Sequence, residues 1–372
     1  MRSGPVRRRH NLRRGGLLFP AEIPHDSNKI RRQQALDILL SRAAAERFGD
    51  AVANVLGDTP HRIFTPGDGP DRQADIAFIS RDVTGRSTKA APSDELLAFY
   101  AVLRRSTRLR WVQAHSAGTD RPIFAELLQR GVTVTTSSGA NAGAVAQSAL
   151  GGLLALARRF VPLYEAQRRH AWQPNFGEDT PRDLAGQHAL VVGYGPIGQR
   201  LARLLGALEM NVTVVRREAP PPAPAPAGEA RPPAFVTFAQ FDEALPQTDW
   251  LILACPLTPL TARLVDARRL ARLPARAHLV NVARGEVVVE AALADALSRG
   301  ALAGAWLDVF EREPLDAASP LWDLPGVLIS PHTAGHSDSY YDAVGRIWLD
   351  NLARWKRGVP LVNAVPPQPA AA

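Results

Sequence analysis

Three polar side chains of different chemistry follow apolar runs in the C-terminal half of the sequence. Arg284 follows the run 277–282, Glu313 lies just after the run 304–309, and His332 follows an apolar run of its own. Ligands of an open parallel sheet bind outside the carboxyl ends of the strands, so we expect these groups to share one edge. A guanidinium, a carboxylate and an imidazole suit the reduction of a 2-keto acid, because the ketone oxygen must gain a proton while hydride reaches the carbon.

Each of these residues also has a simpler interpretation when it is taken alone. Glu313 could be a surface acid beside Glu311, and His332 could be a turn histidine whose hydrogen bonds are satisfied. The coincidence of both residues with Arg284 favours the catalytic interpretation. A carboxylate that is hydrogen-bonded to the imidazole would keep it protonated, as reduction requires.

The same segment raises the question of a metal site. His332 and His336 are four residues apart, but Pro331 and Gly335 make a helix there unfavourable, so the two rings need not share a face. We therefore predict no metal. The single cysteine, Cys255, ends an apolar run and is predicted to be a small core residue; it also excludes an intrachain disulfide framework and fits a reducing cytoplasm.

A dinucleotide site is predicted at residues 189–198, which read ALVVGYGPIG and lead into leucines at helical spacing. Gly193 permits a tight turn, Gly195 lets a pyrophosphate approach the backbone, and Gly198 lets the helix lie close to the strand. The start of the helix offers N–H groups and a positive dipole end to the phosphates. The pattern alone could be only a glycine-rich turn, but a second strand-like run at 211–215 supplies the context that the motif requires.

The end of that second run predicts the cofactor preference. An acid at this point favours NAD, whereas an arginine suits the 2′-phosphate of NADP. Arg216 and Arg217 stand there, so NADP(H) is favoured over NAD(H) through pairing of guanidinium with phosphate. The alternative is that two arginines of an arginine-rich chain merely end a strand in solvent.

The order of elements predicts the fold class. Strand-like runs alternate with helical patterns, which indicates an α/β protein with parallel sheets. We predict a Rossmann-type dinucleotide-binding domain at 143–332 and a smaller flavodoxin-like substrate-binding domain at 25–142 and 333–365. The boundary lies near residue 142, where the segment 141–160 begins; this helix has almost no polar face and must be buried or lie between two packed bodies. The helix at 340–357 is expected to pack on the first lobe.

Within the first lobe the local patterns differ. Residues 30–57 are rich in helix formers, whereas 63–64, 76–79, 109–113 and 132–135 are typical of short buried strands.

Composition excludes several classes of protein. The chain of 372 residues is 46% hydrophobic and 22% charged, which is ordinary for a soluble globular protein. Residues 1–16 hold six arginines, which account for most of the net charge of +8, and no aromatic residue lies among them, so nucleic-acid binding is not predicted. We expect 1–24 to be a disordered basic tail and not a secretory signal, because prolines and an acid interrupt its short apolar run. No run is long enough to span a membrane.

A second biased segment lies at 219–234, where seven of 16 residues are proline. Such a stretch can be neither helix nor central strand, so we predict a surface excursion of polyproline character.

The motifs together resemble those of the D-isomer-specific 2-hydroxyacid dehydrogenases, the family of glyoxylate/hydroxypyruvate reductases and 3-phosphoglycerate dehydrogenase. The first lobe matches less distinctively, through WVQAHSAGTDRP and GVTVTTSSGANAGAVAQ. The stretches that carry the resemblance between 190 and 337 are VVGYGPIGQRLA, LACPLTPLTARLVD, LVNVARGEVVVE, AGAWLDVFEREPL and ISPHTAGHS. The resemblance implies an enzyme that reduces a small 2-keto acid to a D-hydroxy acid with NAD(P)H in a cleft between two domains, and it suggests a homodimer.

The resemblance also implies roles for single residues. Arg284 resembles the arginine that binds the substrate carboxylate and polarises the carbonyl, His332 the acid/base residue, and Glu313 its partner. The backbone N–H groups of Ala117 and Gly118 resemble the loop that holds the substrate carboxylate from the other side.

Further residues are assigned to the cofactor on the same grounds. Asp308 is expected beside the nicotinamide carboxamide, and Pro256 and Thr258 are expected to line the cofactor. The full set predicted to bind it is Gly193, Gly195, Pro196, Ile197, Gly198, Arg216, Arg217, Pro256, Thr258, Ala283 and Asp308.

Two other functions stay open. The fold could serve a non-catalytic dinucleotide-sensing or interaction protein, since fold alone does not imply function. A phosphoglycerate-type dehydrogenase is also possible, although no regulatory domain is expected after residue 365. The presence of Arg284, Glu313 and His332 together favours the enzyme, because a binding module has no need of all three.

Overall fold

Strands and helices alternate along the part of the chain that the computed structural model describes, which is residues 35–85, 87, 91–218 and 232–366. The tail predicted at 1–24 and most of the proline-rich stretch 219–234 lie outside these residues. From Leu36 onward the chain forms one compact unit. None of the helices in the described ranges is both long and apolar enough to cross a membrane.

Five parallel strands form the first sheet, in the order β2-β1-β3-β4-β5. These strands are β1 (Leu36–Leu39), β2 (His61–Phe64), β3 (Ile76–Ile79), β4 (Trp111–Ala114) and β5 (Thr133–Thr135).

Seven parallel strands form the second sheet, in the order β12-β11-β10-β9-β6-β7-β8. They are β6 (His188–Val192), β7 (Asn211–Arg216), β8 (Ala234–Thr237), β9 (Trp250–Leu253), β10 (His278–Asn281), β11 (Gly304–Leu307) and β12 (Val327–Ile329). The central strands are short, fully buried apolar runs, as expected for parallel sheets covered on both faces.

The helices connect these strands and cover the sheets. They are α1 (Arg42–Leu56), α2 (Arg81–Thr84), α3 (Asp94–Arg105), α4 (Pro122–Gln129), α5 (Ala142–Ala157), α6 (Phe160–Arg168), α7 (Pro196–Ala207), α8 (Phe241–Ala244), α9 (Ala267–Leu270), α10 (Glu290–Ser298) and α11 (Tyr340–Arg357). Serine side chains begin two of them: Ser41 accepts a hydrogen bond from the Ala44 N–H at α1, and Ser93 from the Leu96 N–H at α3.

Each sheet has an apolar core on both of its faces. The first sheet packs against α1 and α11 on one face and against α2, α3 and α4 on the other. The second packs against α5 and α7 on one face and against α8, α9 and α10 on the other. As expected, α11 returns to the first sheet: Trp348 is fully buried and stacks on Trp111 with ring centroids 4.9 Å apart.

A buried polar contact fixes where α11 docks. The Asn351 amide donates to Gln113 Oε1 of β4 at 3.0 Å and accepts from the Val362 N–H at 2.8 Å. A buried amide must satisfy its hydrogen bonds, so this pair selects one register of α11 on the sheet.

The expectation drawn from helix formers at 30–57 was wrong at one point, because β1 occupies Leu36–Leu39. The four residues LDIL, three of them apolar, are too few to be distinguished from a helix segment by their pattern, and burial between two helix layers makes them a strand. The helix expected at 141–160 is also divided: Arg159 has a φ of 56°, which ends α5 and starts α6 in a new direction. The strand β8 and the helix α6 were not predicted.

His278 begins β10 and stacks on Trp250 with ring centroids 4.3 Å apart. Burial is the main cause that lowers the pKa of His278 to about 4. In the unfolded chain a histidine titrates near 6.5, so between these values the unfolded state binds a proton that the folded state does not. The folded state therefore loses stability as the pH falls from about 6.5 towards 4.

We expect His278→Phe to keep the ring stacking and to remove this pH dependence. When the pH is lowered from 7 to 5, the free energy of unfolding should decrease in both proteins. The decrease should be about 2 kcal/mol smaller in His278→Phe than in the unchanged protein. Urea unfolding at the two pH values measures the difference. His188→Gln, at an exposed histidine on β6, two strands from β10, is the control. Equal losses in all three proteins would contradict the prediction.

Candidate active site

The three side chains singled out from the sequence come from neighbouring strands. Arg284 follows β10, Glu313 follows β11 and His332 follows β12, and these strands are adjacent and parallel. Their carboxyl ends therefore lie at one edge of the second sheet, which is where open parallel sheets bind ligands.

His332 and Glu313 form a hydrogen-bonded pair, with His332 Nδ1 2.8 Å from Glu313 Oε2. The other carboxylate oxygen accepts from the Phe310 N–H at 3.2 Å. Burial acts to raise the pKa of Glu313, but the hydrogen bond and charge of His332, the Phe310 N–H and the charge of Arg284 together hold it below its ordinary value. An ionised carboxylate only accepts, so Nδ1 carries the donated proton and Nε2 is left for a substrate.

Asp308 fixes the turn that presents His332. Its carboxylate is 3% exposed and accepts from Ser330 Oγ at 2.7 Å, the Thr333 N–H at 2.8 Å and the Ala334 N–H at 3.0 Å. Burial raises the pKa of Asp308 above its ordinary value despite these hydrogen bonds. The backbone of His332 is left-handed, with a φ of 53°, and its N–H donates to the Asp308 carbonyl at 2.8 Å. Sequence reasoning missed this role, and the contact of Asp308 with the nicotinamide stays a prediction.

Arg284 is held from both sheets. Its Nε donates to Asp120 Oδ2 at 2.9 Å, and its Nη1 donates to the Ala283 carbonyl at 2.7 Å. Its Nη2 lies directly over Gly118, where any side chain would overlap it. Asp120 belongs to the loop after β4, so this ion pair joins the two sheets at the site. Sequence reasoning missed Asp120, although an acid two residues after Gly118 was a signal that could have found it.

The loop after β4 supplies the residues predicted to hold the substrate carboxylate. Ala117 is exposed, and Ser116 Oγ donates to the Gly118 carbonyl at 2.7 Å, which fixes the loop. Within the described ranges the N–H groups of Ala117 and Gly118 donate to no protein acceptor. The structure thus brings this loop to Arg284, as predicted, with two N–H groups left for a ligand.

The three glycines of the first βα turn have three different surroundings. Gly193 has a φ of 101°, and a side chain there would come within 2.7 Å of the Ala254 carbonyl oxygen. A side chain at Gly198 would overlap the Gly193 carbonyl. Gly195 faces open space and begins α7 without a side-chain cap, so the N–H groups of the first turn stay available for a phosphate. This cradle fits the pyrophosphate of a dinucleotide.

The far end of the cradle is formed by Arg216, the last residue of β7. Its Cζ lies 6.0 Å from the ring centroid of Tyr194 and 5.9 Å from that of Phe235. The two rings pack edge to face, so they hold the guanidinium against a fixed aromatic surface. Arg217 is exposed beside it.

The remaining residues of the predicted cofactor set lie along the same edge. Pro256 and Thr258 follow β9, and the Thr258 N–H donates to Thr261 Oγ1 at 2.8 Å, which closes a tight turn. Ala283 is buried next to Arg284. Pro196 and Ile197 form the first turn of α7.

Two residues near this edge have other surroundings. Cys255 is buried, and burial raises the pKa of its thiol to about 12, so it is a core residue and no nucleophile. His336 Nε2 accepts from Arg81 Nη2 at 2.7 Å, so its ring has a different partner from that of His332. Across the part of the chain with described coordinates, no three His, Cys, Asp or Glu residues are placed to hold a metal ion.

Known proteins resemble the chain over most of its length. The family model described as "D-isomer specific 2-hydroxyacid dehydrogenase, NAD binding domain" matches residues 150–334. A glyoxylate reductase of Pyrococcus furiosus is 34% identical over 264 residues, which cover 69% of this chain and 76% of the relative. A D-3-phosphoglycerate dehydrogenase of Mycobacterium leprae is 31% identical over 81% of this chain but only 54% of its own length.

A solved structure agrees in fold. The crystal structure of a D-isomer specific 2-hydroxyacid dehydrogenase from Xanthobacter autotrophicus Py2, in complex with NADPH and MES, is 28% identical with a TM-score of 0.68. The match covers 90% of this chain and 98% of that one.

Proposed function

The chain belongs to the D-isomer specific 2-hydroxyacid dehydrogenase family, and we propose that it reduces small 2-keto acids of the glyoxylate and hydroxypyruvate type to D-2-hydroxy acids, with NADPH preferred over NADH. It is an NAD(P)-dependent oxidoreductase of the class that acts on CH–OH groups. The observation that carries the proposal is the meeting of Arg284, Glu313 and His332 at one sheet edge, beside a loop with two free N–H groups.

Different residues of the chain perform different parts of the proposed reduction. Arg284 binds the substrate carboxylate and polarises the keto oxygen, and the N–H groups of Ala117 and Gly118 hold the carboxylate from the other side. His332 donates the proton on Nε2 to the keto oxygen, and the Glu313 carboxylate keeps the imidazole protonated until that step. The nicotinamide cofactor supplies the hydride when bound. In the oxidation direction His332 accepts the proton instead.

The proposal is tested with the purified full chain, NADPH and a panel of 2-keto acids that includes glyoxylate and hydroxypyruvate. Loss of the NADPH absorbance together with formation of the D-hydroxy acid would support it. Tight binding of NADPH without turnover of any keto acid would favour the non-catalytic, dinucleotide-sensing alternative. Turnover of 3-phosphohydroxypyruvate alone would favour the phosphoglycerate-type alternative.

The preference for NADPH is supported by Arg216 and Arg217 at the end of β7. We expect Arg216→Asp to lower kcat/KM for NADPH relative to NADH by about 100-fold, because a charge-assisted hydrogen bond to the 2′-phosphate is replaced by repulsion. Initial rates with both cofactors measure this ratio. Arg203→Asp, at an exposed position on α7, makes the same change in net charge and should leave the ratio unchanged. An unchanged ratio in Arg216→Asp would exclude the phosphate contact.

The homodimer is supported by an apolar surface on α6 and the segment that follows it. Phe160, Tyr164, Trp172 and Phe176 are between 56% and 97% exposed, which is unusual for aromatic side chains of a monomer. We expect Phe160→Asp combined with Trp172→Asp to convert the dimer to a monomer, as measured by light scattering of the eluting protein. Leu97→Asp, at an apolar side chain 46% exposed on α3, is the control. A dimer that survives the double substitution would place the interface elsewhere.

Three further inferences from the sequence remain predictions. The limits of the two domains, 25–142 with 333–365 and 143–332, are one of them. The cytoplasmic location is another, supported by the single buried cysteine. The third is that neither nucleic acid nor membrane is a partner.

A further inference from the structure

A cavity of about 410 Å³ lies at the carboxyl edge of the first sheet. Ser80 and Arg81 line it after β3, and His115 lines it after β4. Ala43 of α1 and Tyr340 of α11 close it from the other side. Its volume lies in the range of sites that bind small molecules.

The cavity adjoins the site described above. His115 is two residues before Ala117, in the loop that rests on Arg284. On the other side Arg81 Nη2 donates to His336 Nε2 at 2.7 Å, four residues after His332. The cavity therefore neighbours the proposed site through two of its lining residues: His115, which precedes the loop of Ala117, and Arg81, which contacts His336.

Aromatic and aliphatic side chains make up about half of the cavity lining, and the charges in the lining are balanced. Phe48, Phe78, Tyr340 and Tyr341 contribute their rings, and Val344 lies with them. Arg81 lies over the Tyr340 ring at 5.4 Å. The four charged residues in the lining are two arginines and two acids, namely Arg47, Arg81, Glu46 and Asp82.

Both arginines already have partners. The side chains of His115 and Tyr340, which also line the cavity, carry no charge at neutral pH. Arg47 pairs with Asp342 at 2.6 Å. Burial, with the charges of Arg81 and Arg121, lowers the pKa of His115 to about 4. Burial raises the pKa of Tyr340 to about 12. An uncharged group enters such a space at a lower cost than a second anion.

We propose that this cavity holds the side chain of the keto acid, and that the preferred substrates are 2-keto acids with an apolar side chain as large as an aromatic ring. The inference rests on the proposed reduction of 2-keto acids, and it changes the preferred side chain from that of glyoxylate or hydroxypyruvate to a larger, apolar one. Glyoxylate has no side chain and hydroxypyruvate only a hydroxymethyl group, so neither would fill the space between the rings. An aromatic side chain would bury most of its surface there.

The test compares kcat/KM of the full chain with NADPH for phenylpyruvate, glyoxylate and 2-oxoglutarate. We expect phenylpyruvate to exceed the other two by about 10-fold or more, since filling an apolar pocket gives discrimination of this order. A higher value for glyoxylate would overturn the inference and leave the proposed function standing. A higher value for 2-oxoglutarate would show that Arg81 or Arg47 binds a second anion and would also overturn it. No turnover of any of the keto acids would overturn the proposed function and this inference with it.

A pair of variants locates the effect. Ala43 lines the cavity from an exposed position on α1, so Ala43→Phe should fill the space without disturbing the core. We expect it to lower kcat/KM for phenylpyruvate about 10-fold more than for glyoxylate. Ala53→Phe, at an exposed position on the same helix outside the cavity, is the matched control. Equal effects of Ala43→Phe on both substrates would exclude the cavity as the side-chain site.

Discussion

Replacing Arg284 by alanine should lower kcat/KM for keto acids by about 10³-fold or more and leave the Kd for NADPH within about twofold. In the proposed mechanism the guanidinium contacts both the substrate carboxylate and the developing charge on the keto oxygen, and removal of one such donor alone costs about 10²- to 10³-fold in other enzymes. Arg284→Lys should recover little of the lost kcat/KM. A lysine has a single ammonium group, which cannot replace the Nε contact to Asp120 and also make a bidentate contact with the substrate. Steady-state kinetics and cofactor titration by fluorescence measure the two quantities.

The control for this prediction is Arg312→Ala. Arg312 is exposed in the loop after β11, next to Glu313, and its loss makes the same change in net charge at the same sheet edge. Its kcat/KM should stay near that of the unchanged protein. Activity that survives in Arg284→Ala, with the melting temperature unchanged, would show that Arg284 does not bind the substrate.

Replacing His332 by glutamine should lower kcat for reduction by about 10²- to 10⁴-fold, the usual contribution of a positioned proton donor. Glutamine can still hydrogen-bond to Glu313 but cannot deliver a proton from Nε2. The KM for the keto acid should change little, since binding depends on Arg284 and the loop after β4.

Glu313→Gln provides the companion measurement, because it removes the charge and keeps the shape of the side chain. The pKa of Glu313 lies below its ordinary value, so the carboxylate is ionised and favours a protonated His332. Without that charge the His332 ring loses its ionised partner, and kcat for reduction should fall by about 10-fold or more while the Kd for NADPH stays unchanged. A kcat equal to that of the unchanged protein would mean that Glu313 does not assist the proton transfer.

The meeting of the three proposed catalytic side chains at one sheet edge could be predicted because its signal is local. Each of Arg284, Glu313 and His332 follows a buried apolar run, and parallel strands bring their carboxyl ends to one edge whatever their order. The glycine turn has the same kind of local signal, because the spacing of Gly193, Gly195 and Gly198 is typical of a turn that binds a dinucleotide.

The partners that orient these groups could not be predicted in the same way. Asp120 lies 164 residues before the arginine it binds, and the two meet only because the loop after β4 faces the end of β10. Phe235 reaches the guanidinium of Arg216 only because β8 pairs with β7 beyond the proline-rich stretch. Such contacts depend on how both sheets are arranged, and the spacing of residues in the sequence does not predict that arrangement.

The sequence by itself determined the parallel α/β class, the glycine turn and the three polar side chains that meet at the carboxyl edge of the second sheet, because burial pattern and turn chemistry are properties of a few consecutive residues. It did not determine β1, whose short sequence LDIL becomes a strand only when helices cover it on both faces. The tertiary structure alone decided the position of Asp308 beneath the His332 turn, the ion pair of Arg284 with Asp120, and the aromatic cavity beside them. These features come from side chains far apart in the chain, and only packing of the whole unit fixes the distances between them.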